Sequence, residues 1–195
     1  MSGALEDGLP RLYAVALVGF MAAGKSAAGR LAARRLKVPF IDSDALIVER
    51  EGPIAGIFAA RGELVFRGLE RDLVTDVLEA ALREPCIVAL GGGAVLSGDV
   101  REALGRLPHV AWLTAPADVL WARTRGAAPG GRPLAKDEQA FRKLLTERNE
   151  LYRRVASVEI LNDGSRALAA VVEEIAALAA DGTTRAAQGR GEDQA

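Results

Sequence analysis

The sequence predicts an α/β fold of three layers around a central parallel five-stranded sheet. Two observations lead there. Short apolar runs alternate with segments of helical period, and the first run passes through a glycine-bounded turn directly into a helix. Runs that are continuous, not alternating, mark strands covered on both faces of a parallel sheet. Ligands of such sheets lie beyond the carboxyl ends of the strands.

The strands are expected at "LYAVALV" (12–18), "VPFI" (38–41), "CIVAL" (86–90), "HVAWL" (109–113) and "VEIL" (158–161). Between the first two lies the helix "SAAGRLAARRL", and "ALIVER" follows the second. A longer helix runs from Gly62 through "ELVFRGLERDLVTDVLEAAL", with Phe66, Leu73, Val77 and Ala81 on one stripe. "AFRKLLTERNELYRR" repeats Phe141, Leu144, Leu145 and Tyr152 at helical spacing. The last helix, "SRALAAVVEEIAALAA", sets Leu168, Val171, Val172, Ile175 and Leu178 on one stripe. "TRGAAPGGRPLAKD" (124–137) has no periodicity and reads as an exposed connection or, with its arginines, as a mobile lid. Residues 181–195 read as a frayed tail, leaving a core of about 12–180 in a single domain, 1–195.

Half of the 195 residues are hydrophobic, 26% are charged and the net charge is -1, a balance that offers no nucleic-acid or membrane surface. Charges interrupt every apolar run before it reaches membrane length, and the N-terminus lacks the pattern of a secretory signal. The lone cysteine, Cys86, excludes an internal disulfide and suits a reducing cytoplasm. A cytoplasmic monomer acting on small molecules is expected. Cys86 and His109, both at strand starts, are expected to serve packing.

"GFMAAGKS" (19–26) matches G-x-x-x-x-G-K-[ST] between a strand and a helix, the context a phosphate-binding loop requires. Backbone N–H groups of Ala22, Ala23, Gly24, Lys25, Ser26 and Ala27 would ring a nucleotide phosphate, helped by the helix dipole. Lys25 would neutralise the β/γ-phosphates and Ser26 would hold Mg²⁺. "FIDSD" ends the second strand with Asp42 and Asp44. If that chain is extended, the two carboxylates face one crevice, one serving Mg²⁺ and the other an acceptor hydroxyl. The alternative for either is a cap on the next helix.

Charges stand on two apolar stripes. Glu70 falls on the stripe of its helix with Arg67 three residues before it, either as a buried pair or as a surface pair at the stripe's edge. Arg148 falls within the stripe of the "AFRKLL" helix, where an arginine either meets an anion or snorkels. Two ordered guanidiniums suit a carboxylate. "LGGGA" (90–94), after the third strand, allows close backbone approach to a ligand.

The set "GFMAAGKS", "FIDSD", "GELVFRGLE", "LGGGA", "RPLA" and "RNELYRRVA", in this order over about residues 12–175, resembles the shikimate kinases. The resemblance implies a P-loop kinase fold with a mobile lid. It implies transfer of the ATP γ-phosphoryl group to the 3-hydroxyl of shikimate, a step of aromatic amino-acid biosynthesis, with Mg²⁺. It assigns Asp44 to the ring hydroxyls, Arg67 and Arg148 to the carboxylate, Gly92 to the acceptor site and Arg132 to the lid. Phe58 and Phe66 match pocket aromatics, and Arg166 matches an arginine that stacks on adenine. The catalytic set is then Lys25, Asp44 and Arg132, with Ser26 and Asp42 at the metal. Ala22 stands for the usual third loop glycine, Ala27 for a threonine and "RPLA" for "RPLL". The first of these is harmless where φ at Ala22 is negative. Two other readings share the loop: a kinase for another polyol acid such as gluconate, and a non-catalytic ligand-binding module. The paired arginines and "LGGGA" weigh against gluconate, and an attached DNA-binding domain would favour the module.

Overall fold

The computed structural model describes residues 11–125 and 137–181. Five parallel strands, β1 (Val15–Val18), β2 (Phe40–Asp42), β3 (Ile87–Ala89), β4 (His109–Thr114) and β5 (Val158–Leu161), pair in the order β2-β3-β1-β4-β5. The helices are α1 (Lys25–Leu36), α2 (Ser43–Glu51), α3 (Ile54–Ala81), α4 (Gly98–Arg106), α5 (Ala117–Arg125), α6 (Glu138–Val155) and α7 (Leu168–Ala180). No helix among the described residues is long and apolar enough to cross a membrane.

Register shows how the layers form. Leu17 lies beside Ala111, and Val18 beside Trp112, so the two pairs face opposite sides of the sheet. Gly29 of α1 rests near Leu17, Phe40 and Ile87, and α1 packs against α7. Trp112 stacks on Tyr152 of α6, on the other side. The inner strands β1 and β3 are buried along their whole length, and β4 is buried up to Thr114, as continuous apolar runs require.

The edges depart from that expectation. In β5 only Ile160 is buried, and Leu161 is 43% exposed, because one long side of the strand faces solvent. β2 starts later than "VPFI" suggests. Lys37, with φ 57°, closes α1 by donating its N–H to the carbonyls of Ala33 and Arg34, so Val38 and Pro39 are spent on the turn. In α7 the stripe is shifted: Leu168 is exposed, while Ala176 and Ala179 join Val171, Val172 and Ile175 in the core. The long helix begins at Ile54, not Gly62. Gly62 (φ 81°, ψ 168°) breaks it into a short and a long half.

Both residues expected to serve packing do so. His109 is buried, with its Nε2 2.8 Å from the Asp181 carbonyl oxygen and its ring edge-on to Tyr13. Burial, with a smaller contribution from Glu84, pushes the Cys86 thiol from an ordinary 9.0 up to about 11. The sign follows: unfolded chains release this proton near 9, whereas folded ones hold it, so the unfolded state gains as pH rises from 9 to 11. Wild type is expected to lose stability over that window relative to Cys86→Ala, read by denaturant melts at both ends. A parallel pH dependence of the two proteins would exclude it.

Candidate active site

The carboxyl ends of the strands bring the predicted residues together. β1 runs into the loop 19–24, where Gly19 (φ 139°) and Gly24 (φ 93°) turn the backbone. α1 then starts at Lys25 with no side chain capping it. Its first amides therefore remain for an anion. Lys25 Nζ donates to the carbonyls of Gly19 (2.8 Å) and Phe20 (2.9 Å), curling back over the loop it would serve.

Ala22 has φ 62°, not the negative value under which its methyl is harmless. An L-residue in the left-handed region pays about 1–2 kcal/mol. Ala22→Gly removes that cost and adds some unfolded-chain entropy, for a net gain of about 1 kcal/mol. Urea melts of the two proteins check this; equal midpoints would mean that the loop relaxes around the methyl.

Asp42 and Asp44 are not related by strand alternation. β2 ends at Asp42 and helix α2 has begun at Ser43. Asp42 divides its oxygens: Oδ1 accepts from the Asp44 and Ala45 amides, and Oδ2 accepts from the Ser26 hydroxyl at 2.6 Å. It is a cap and a neighbour of Ser26 at once. Asp44 turns instead toward Gly91, where a Cβ would collide with its Oδ1 and lie 2.8 Å from Glu70 Oε1. Gly91 donates its N–H to Ser43 Oγ at 2.9 Å, fixing this approach.

The glycine run thus makes room for the chain's own side chains. At Gly93 a Cβ would overlap the Arg67 guanidinium. Arg67 Nη1 donates to Glu70 Oε2 at 2.5 Å, and Glu70 is 2% exposed, so the pair is buried at its acidic end and is no surface pair. Glu63 Oε1 takes the outer edge of Arg67, 3.1 Å from Nη2 and 3.3 Å from Nε. Arg148 is 3% exposed and does not snorkel. Its Nη1 donates to the Gly92 carbonyl at 3.1 Å, its head lies over Phe20, and Tyr152 Oη donates to the same carbonyl at 2.6 Å. Cavities of about 560 Å³ flank the two arginines: one is lined by Arg67, Glu70 and Gly93, the other by Arg148, Leu144 and Glu147. Glu63 and Leu96 border both. Phe58 stacks on the fully buried Phe66, 4.6 Å between centroids, and Arg67 lies over the latter.

Not every expected residue joins the site. Arg132 and most of the segment 124–137 lie outside the described residues; Thr124 and Arg125 belong to α5, and Asp137 caps α6 through the Ala140 N–H. Arg166 is committed to Glu174 and to the Leu161 carbonyl. Among the described residues Arg123 also meets the phosphate loop: its Nη1 donates to Asn162 O (2.8 Å) and reaches Ala22 O (3.4 Å). Asn162, buried at the end of β5, donates from Nδ2 to Ala23 O at 2.8 Å. Neither was anticipated. The available signals were a polar residue directly after "VEIL" and a basic residue one turn before the glycine-rich segment.

Comparison with known proteins agrees with this geometry. A family model for shikimate kinase matches residues 21–179. A shikimate kinase of Symbiobacterium thermophilum is 42% identical over 165 residues, covering 83% of this chain and 92% of its own. One from Mycobacterium avium is 44% identical over 149 residues, covering 74% and 81%. The structure of a shikimate kinase from Acinetobacter baumannii in complex with shikimate superposes with TM-score 0.76 at 33% identity, covering 85% and 92%. A gluconokinase from Sinorhizobium meliloti, at 21% identity and TM-score 0.60, shares the fold. With a family match over most of its length and two relatives above 40% identity, this chain belongs to the shikimate kinase family.

Proposed function

We propose that this kinase transfers the γ-phosphoryl group of ATP to the 3-hydroxyl of shikimate, giving shikimate 3-phosphate and ADP. The observation that carries the reading is the pair of ordered arginines, Arg67 on buried Glu70 and Arg148 on the Gly92 carbonyl, at the strand ends that also form the phosphate loop. Arg148 held this way is ready for a planar carboxylate, and Arg67 joins it once its outer edge is released from the exposed Glu63.

Placement supports the following roles, except that of Arg132, which rests on the family resemblance. Arg67 and Arg148 hold the acceptor carboxylate, and Asp44, beside Gly91, orients the ring hydroxyls. Gly92, whose carbonyl orients Arg148, belongs to the same acceptor site. The amides of Ala22 to Ala27 and Lys25 hold the phosphates, and Arg132, outside the described residues, is assigned to them by the family resemblance. Arg166 serves the nucleotide only if its pair with Glu174 opens. Ser26 and Asp42, whose oxygens lie 2.6 Å apart, would hold a magnesium ion, since such ions need only one or two protein oxygens beside water and substrate phosphates. Mg²⁺, when bound, neutralises charge developing on the phosphates. The protein's own share is alignment and charge, since phosphoryl transfer through a loose transition state needs little covalent help. Asp44 need not be a true base.

A panel of acceptors with ADP detection tests the reading. Shikimate is expected to drive ADP formation and gluconate to leave it at the rate without acceptor. Gluconate-driven turnover would move the protein to the other polyol-acid kinases.

A further inference from the structure

We infer that Asn162 is a positioning residue for the phosphate loop, acting through the Ala23–Gly24 peptide; this rests on the reading of that loop as the nucleotide site. Asn162 follows β5 directly, and its own backbone is fixed on both sides. Its N–H donates to Thr114 O at 2.8 Å, and its carbonyl accepts from Arg123 at 2.8 Å. The side chain, in a residue 8% exposed, then donates from Nδ2 to Ala23 O at 2.8 Å.

A trans peptide is planar, with its C=O and N–H pointing opposite ways. Fixing the Ala23 carbonyl toward Asn162 therefore turns the Gly24 N–H away from Asn162, into the side where a phosphate would lie. Gly24 has φ 93° and no side chain, so nothing on the residue itself holds that peptide in place. The amide of Asn162 fills the space next to Gly24, where a Cβ would collide with Nδ2. A donor is needed there, because a carboxylate would face the carbonyl oxygen with another oxygen and bring negative charge toward the phosphates. The edge strand thus sets the loop's geometry from a position 138 residues after Gly24 in the chain.

The test compares Asn162→Ala and Asn162→Asp with wild type in binding of ADP, inorganic tripolyphosphate and shikimate. Loss of one neutral hydrogen bond corresponds to about three- to tenfold weaker binding. Both phosphate ligands are expected to weaken alike in Asn162→Ala, shikimate affinity to stay, and Asn162→Asp to bind phosphate no better than Asn162→Ala. Recovery in Asn162→Asp, which keeps the volume, would reduce Asn162 to a space filler and overturn the inference. So would weakened ADP with unchanged tripolyphosphate, which would mark a contact to the base. Unchanged binding of both in a folded variant overturns it as well. Asn162→Ser replaces an Asn162→Ala that fails to fold. Should wild type bind neither phosphate ligand, the nucleotide reading itself fails, an outcome distinct from the others.

Discussion

Lys25→Ala is expected to stop phosphoryl transfer while leaving the protein folded. The ammonium donates to the Gly19 and Phe20 carbonyls, which are neutral acceptors. A triphosphate would offer it full negative charge instead. In the transition state that charge spreads over the transferred group, where a preorganised cation counts most. Removing one such stabilising group costs on the order of 10²–10³-fold in turnover, and more where water is excluded. Core packing is hardly touched, because the apolar residues that α1 buries are Ala28, Ala32 and Ala33. Steady-state turnover beside a thermal melt decides it. Full activity in Lys25→Ala would mean that this is not a working phosphate loop.

The second large effect is expected on the acceptor. Arg148→Ala removes a guanidinium that is 3% exposed and already oriented by Gly92 and Phe20. A charge-assisted hydrogen bond in such a setting contributes about 1.5–3 kcal/mol, so the shikimate KM is expected to rise roughly 10- to 150-fold. Arg148→Lys restores the charge but not the fork, and is expected to recover only part of the loss. ATP affinity stays, since the phosphate loop is built from other residues. Shikimate binding by Arg148→Ala equal to wild type would refute the carboxylate assignment.

Much of this site was legible in the sequence because charge on an apolar stripe is a local signal. Helical spacing sets Glu70 and Arg148 on apolar stripes while leaving a surface position open for each, and the structure places both in the interior. The inner strands were legible for the same reason, as continuous apolar runs. What escaped depends on partners far along the chain. Asn162 reaches back to Ala23, and Arg123 to both Asn162 and Ala22, so no window of sequence contains the contact. Backbone sign escaped too: alanine at position 22 gave no hint of φ 62°, since the loop's closure imposes it against the residue's own preference. Strand alternation does not relate Asp42 to Asp44, because Asp44 lies two residues beyond the strand's end. Asp42 ends β2 by capping α2, and that cap sends Asp44 to a different partner.

The most direct test of the central claim is ADP formation by the purified protein with ATP and Mg²⁺, measured with and without shikimate, with the phosphorylated position read by NMR. The account predicts ADP release that depends on shikimate and matches, mole for mole, a product phosphorylated at the 3-hydroxyl. ADP release that is the same without shikimate, or a product phosphorylated elsewhere, would contradict it.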